Sequence, residues 1–288
     1  MSIKKKIFTF LLFLSLSVVL SNATAYGEEE HKMSSDYRSL VSQALPMWDE
    51  KILEVPASKI WTDKTSMQAV ARAVKDEVLV NVEREKKTGE YKDKDRAVKI
   101  DQSQGHIRYL NNLREFRMES SPRTALDKPK AEGMITEALR TIGLPADEFQ
   151  KPLVDTVVSQ GGSTGDKKID EKIYRERLVT VDRMINNLPV FGSMSRGSVS
   201  NKGEISRLLV KWPDFIFTKS KRLLERDTVI EEIVKRIDSQ VKGQPVSVNI
   251  RLGYIQSPAS ERTVYIPGVV VSVLPSTTGF IFSVPLAE

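Results

Sequence analysis

The 288 residues include two histidines and no cysteine. Without a thiol the chain has no disulfide, thiolate nucleophile, thiolate metal ligand or thiol redox switch. His31 lies in a polar stretch, and His106 sits in a turn between two alternating segments. A Ser-His-Asp triad or a two-histidine metal site would need them placed together, so each reads as a surface residue. Gly161-Gly162-Ser163-Thr164-Gly165-Asp166-Lys167-Lys168 has the composition of a phosphate cradle but lacks the G-x-x-x-x-G-K-[ST] spacing, and reads as a loop. Ser220-Lys221 lacks the strand-turn-helix setting that an exposed nucleophile needs.

Carboxylates are abundant, and two of them can cleave a glycoside with no help from histidine or cysteine. Such enzymes work in aromatic-rich clefts, whereas Trp48, Trp61 and Trp212 read as core or strand-end anchors. Asp93, Asp95 and Asp101 lack the order and closing glutamate of a calcium loop. Tyr254, Tyr265 and Phe280 could line a groove, but packing on a sheet face is the simpler reading. The expectation is therefore no catalytic, cofactor-binding or metal-binding residue and no cofactor. Residue types alone single out no partner-binding position.

The elements that carry these residues can be read from periodicity and punctuation. Thr65-Ser66-Met67-Gln68 has a capping pattern, and Met67, Val70, Ala71, Val74 and Val78 recur at helical spacing. This predicts a helix over 66–77. Val78, Val80 and Val82 alternate and predict a strand to follow it. The charge run 83–96 reads as a solvated loop around Gly89, and Ala97 to Tyr109 as a hairpin. Asp127 caps a helix that opens at Pro129, carries Ala131, Ile135, Ala138, Leu139 and Ile142 on one face and stops at Gly143. Strands are expected over 153–158, 178–185, 196–200 and 204–210, the last two joined by Asn201-Lys202-Gly203. Thr228-x-x-Glu231 reads as a capping box for a helix over 229–242, followed by strands over 246–255, 263–273 and 280–284. Residues 40–61 support no assignment.

Lys4, Lys5 and Lys6, an apolar run from Ile7 to Leu20, and Ala23-x-Ala25 follow the order of a cleavable secretory signal peptide. The run is shorter than the ~20 residues that span a bilayer. An uncleaved N-terminal anchor is the alternative. Removing the three lysines takes the formal charge from +6 to near +3, an ordinary surface that argues against nucleic acid. Export without cysteine points to a bacterial protein, periplasmic or extracellular, that relies on its core and has no stable membrane span after cleavage.

The residues Asn187-Leu188-Pro189-Val190-Phe191-Gly192-Ser193, then Gly197-Ser-Val199, Asn201-Lys-Gly203-Glu-Ile205 and Lys211-Trp212-Pro213 form a distinctive series. It resembles the PepSY-like and thermolysin-propeptide-like (FTP) modules of exported bacterial proteins. The hairpin around Gly105 is similar in style, as are Tyr254-x-x-x-Pro258 and Val264-Tyr265-Ile266-Pro267-Gly268. The resemblance implies a non-catalytic module that binds a peptide or modulates a peptidase. The peptidase motif H-E-x-x-H is absent from the sequence.

The fold class expected is α+β, with antiparallel sheets each covered by a helix and two related units at about 127–213 and 228–288. The expected division is a signal peptide 1–25, an N-terminal tail and unassigned segment 26–62, an N-terminal helix and hairpin 63–126, and an α+β region 127–288. The expected function is an exported binding protein of the bacterial envelope whose partner is a protein or peptide. A structural component of a surface layer and a carboxylate-dependent hydrolase are the alternatives.

Overall fold

The computed structural model describes residues 34–48, 53–59, 67–85, 89–101, 104–117, 120–159, 172–257, 264–275 and 278–287, with the backbone alone at 53–59 and 214–221. The signal-peptide pattern, His31, Trp61 and the 161–168 glycine loop lie outside the described residues.

The chain forms a mixed α+β fold. Its helices are α1 (Tyr37–Ala44), α2 (Met67–Ala73), α3 (Lys128–Ile142) and α4 (Arg226–Val241). Its strands are β1 (Leu53–Lys59), β2 (Tyr91–Lys92), β3 (Arg96–Asp101), β4 (His106–Asn111), β5 (Leu153–Ser159), β6 (Ile173–Ile185), β7 (Leu188–Ser200), β8 (Ile205–Lys211), β9 (Asp214–Lys221), β10 (Val246–Gln256), β11 (Tyr265–Pro275) and β12 (Phe280–Pro285). Ten strands build one sheet with the path β12-β11-β10-β7-β8-β4-β3-β2, from which β6 and then β5 branch off beside β7. β1 and β9 form a separate antiparallel pair. The large sheet is mixed because β10 runs parallel to β7, in register at Tyr254 and Val190 alone.

Local chemistry accounts for most boundaries. The Asp127 carboxylate accepts from the Lys130 amide at the start of α3, and Gly143 at φ +100° ends that helix in the left-handed conformation. Ala131, Ile135, Ala138, Leu139 and Ile142 are its buried stripe, as their spacing predicts. Burying each large aliphatic side chain contributes about 1.5–3 kcal/mol. Asn186 and Asn187 both take positive φ, which suits the two-residue turn joining β6 to β7. Both strands run far longer than expected, β6 from Ile173 and β7 from Leu188, directly off that turn. Gly192, at φ +85°, lies where the β6–β7 register shifts.

Three expectations are corrected. The helix predicted over 66–77 ends at Ala73. Lys75 turns left-handed at φ +53°, and the Arg114 guanidinium takes the carbonyls of Val74 and Lys75 at 2.6 Å each. The strand predicted over 78–82 is a 3-10 turn, Glu77–Asn81. It buries Leu79 only, leaving Val78 and Val80 49% and 47% exposed, and no described strand pairs with it. The Thr228–Glu231 capping box does not form, because α4 starts earlier, at Arg226, with Glu225 as its cap residue. The Arg226 guanidinium donates to the carbonyls of Ser42, Leu45 and Pro46 and so holds the helix start against the end of α1.

The buried side chains fall into two large clusters. One joins α2 and α3 to β3, β4 and β6–β8. The other joins α1 and α4 to β10–β12. A small group, Ile185, Val190, Tyr254 and Tyr265, sits at the seam where β7 meets β10.

Candidate functional site

The residues singled out by type do not converge. His106 opens β4 opposite Asp101. Burial and the Lys211 charge lower its pKa, with Asp101 opposing. Asp93 lies between β2 and β3, and Asp101 ends β3. Asp93 accepts from the amides of Asp95 and Arg96 and from the Arg96 guanidinium, and Asp101 accepts from the Gln104 amide. Burial opposes ionisation of Asp93, yet these hydrogen bonds hold its pKa below the usual value. Among the described residues no three His, Cys, Asp or Glu side chains gather as metal ligands.

The aromatics mostly pack. Tyr254 and Tyr265 are buried at the seam, and Phe280 stacks on Phe282 at 6.0 Å against the second cluster. Trp48 lies under the Arg226 guanidinium. Trp212 closes β8 as a buried anchor. Its indole N–H donates to Glu148 at 3.0 Å, Phe149 meets it edge-on, and Arg183 lies over its ring while pairing with Glu148.

The exposed edge is where this fold offers chemistry. β5 pairs with β6 on one side, from Leu153–Thr180 to Ser159–Ile173. Among the described residues no strand pairs with its other side. An unpaired edge presents a row of backbone donors and acceptors that another strand can take up. Natural edges are blunted by proline, lysine or brevity. β5 is seven residues long, with Asp155 as its one charge and no proline. At its far end Val158 and its β6 partner Tyr174 are 41% and 39% exposed. The other two ends of the large sheet differ. β2 has two residues and is flanked by Arg84. On β12, the Ser283 carbonyl accepts from Arg236, whose guanidinium Glu232 steadies at 2.7 Å.

Next to this edge, the sheet face turned away from α3 carries charge. Asp182 and Glu176 on β6 are pushed up in pKa by burial. Arginines counter this, Arg251 and Arg196 at Asp182, and Arg207 and Arg175 at Glu176. Burial in turn lowers Arg196, against Asp182 and Asp155.

The edge is not legible in the sequence, because β4 joins β8 instead of its chain neighbour and leaves β5 outside. Nor is the role of Asp76. This buried carboxylate accepts from Arg96 Nε at 3.1 and 3.3 Å, from the Tyr109 hydroxyl at 3.1 Å and from Asn111 Nδ2 at 2.7 Å. Burial raises the Tyr109 pKa, and the neighbouring Arg114 opposes the rise. The only sequence signal was an aspartate at the end of a helical stripe.

No family model and no curated protein matches the chain. Among solved structures it is similar to an uncharacterized protein from Eubacterium rectale ATCC 33656, with 13% identity over 83% of this chain and 82% of that one and a TM-score of 0.49.

Proposed function

We propose that the protein is an exported, non-catalytic binding protein of the bacterial envelope or extracellular space that takes an extended peptide or protein segment by strand addition along β5. The observation that carries this reading is the open β5 edge, seven residues with a single charge. Added main-chain hydrogen bonds would supply affinity, and alternate side chains would meet Val158 and Tyr174 on one face and the Asp155–Arg196 region on the other.

The signal-peptide pattern supplies the address and the absence of cysteine the bacterial setting. The resemblance to PepSY-like and FTP modules supports a partner that is a peptide or a peptidase. Two related α+β units, each a sheet covered by a helix, fit the division of the core into two clusters, one around α3 and one around α4.

The test is selection of extended peptides from a display library against the protein lacking residues 1–25, followed by hydrogen exchange of the complex. Protection should rise over residues 153–159. Val158→Lys changes an exposed side chain and should weaken binding at least about tenfold, since lysine is a common edge blocker. Failure to select any peptide, or peptides whose binding ignores Val158→Lys, would sink the reading.

A further inference from the structure

A cleft of about 720 Å³ opens where the end of α2, the Glu77–Asn81 turn and the end of β4 converge. Its floor is the Asp76 network. Its walls are tied by Arg114, which donates to the Val74 and Lys75 carbonyls at the end of α2 and to the Ile205 carbonyl at the start of β8. The site is therefore held in shape without a ligand, as small-molecule pockets usually are.

The lining combines two features. Val78 and Leu113, 49% and 47% exposed, stand in the cleft as large apolar side chains left half in water. The charges around them are unevenly matched. Asp76 is taken by Arg96, and Glu204 lies 3.8 Å from Arg114. Arg72 and Lys75, both exposed at the end of α2, line the same cleft as Glu77. Among the side chains that line the cleft this leaves one positive charge in excess beside an apolar rim, with Asp93 held behind them against Arg96.

We propose that this cleft binds a carboxylate that carries an apolar group, with the anion held by Arg72 and Lys75 and the apolar group lying between Val78 and Leu113. The C-terminus of a peptide ending in a large apolar residue has this chemistry, and so does a medium-chain fatty acid. Guanidinium and ammonium groups supply the charge-assisted donors that a carboxylate needs, and the apolar rim favours the attached group. The site is separate from the β5 edge.

The experiment is a nitrogen-15 NMR titration of the protein lacking residues 1–25. The probes are N-acetyl-leucyl-phenylalanine, its C-terminal amide, and octanoate. At least one of the two acids should shift the amides of Lys75 to Val78 and of Leu113. The one that binds identifies the source of the carboxylate. The dipeptide amide should bind at least about tenfold more weakly than the dipeptide acid if that acid is the ligand. Arg72→Gln with Lys75→Asn should remove binding while leaving the remaining spectrum intact. Asparagine is chosen because residue 75 sits at positive φ, which it tolerates. Val158→Lys on β5 should have no effect here, so failure of this site and failure of the edge are told apart. The proposal is overturned if neither acid shifts these amides at millimolar concentration, if the dipeptide acid binds but no more tightly than its amide, or if the double variant binds unchanged.

Discussion

Gly197 of β7 lies directly beneath Ile135 of α3, so close that a Cβ added to the glycine would come within 2.2 Å of Ile135 Cδ1. The helix seats on the sheet at this point because one strand position has no side chain. Gly197→Ala should therefore overpack the core and cost about 1–3 kcal/mol, seen as a lower urea midpoint. Ile135→Val removes the clashing methyl and should recover part of that loss, so the two changes should be non-additive in a double-mutant cycle.

Asp76→Ala should be far more damaging than a change at the rim of an open cleft, because this carboxylate is buried. It leaves the Arg96 guanidinium and the amide of Asn111 without their shared acceptor. Losing one partner of a buried ion pair costs about 3–5 kcal/mol. Chemical denaturation would measure it, and a loss below about 1 kcal/mol would show that the network is not holding α2 to the β3–β4 hairpin.

Burial of Asp182 sets the sign of its pH-dependent contribution. Burial raises its pKa in the folded chain above the ordinary 3.8, with Arg251 and Arg196 opposing. A raised pKa means that the stabilising contribution is complete below the unfolded value and is lost as pH climbs through the folded value. Asp182→Asn should thus be more stable than wild type at neutral pH, and the gap should close below the ordinary aspartate range. Urea midpoints across pH check both halves of this statement.

Arg226 joins the first helix to the rest of the molecule, because its guanidinium serves the carbonyls of Ser42, Leu45 and Pro46. Arg226→Ala should loosen α1 while sparing the first core. Hydrogen exchange should accelerate over residues 37–45 and stay slow over β6 and β7.

The elements legible in the sequence were those with strong local signals. Asp127, Pro129 and Gly143 bracket α3 by chemistry that acts within a few residues. Asn201-Lys202-Gly203 likewise places the β7–β8 turn, with Gly203 at φ +78°. The misread elements were decided from a distance. Alternation of Val78, Val80 and Val82 does not make a strand without a partner. Thr228 does not cap a helix whose start is pulled back by contacts with α1. The candidate edge was illegible for the same reason, since β5 is an edge only because β4, from an earlier hairpin, takes the place beside β8. Asp76 draws its donors from residues 20 to 35 positions away, a distance at which periodicity carries no information.

The parallel register at Tyr254 and Val190 gives the sheet its mechanical character. Strands on either side are zipped over many residues, but the two halves are fastened to each other by a short seam at the start of β7, just before the Gly192 bend. Pulled or twisted as a whole, such a plate does not flex evenly. It should crease first along that seam, with the two cores riding as stiff panels on either side.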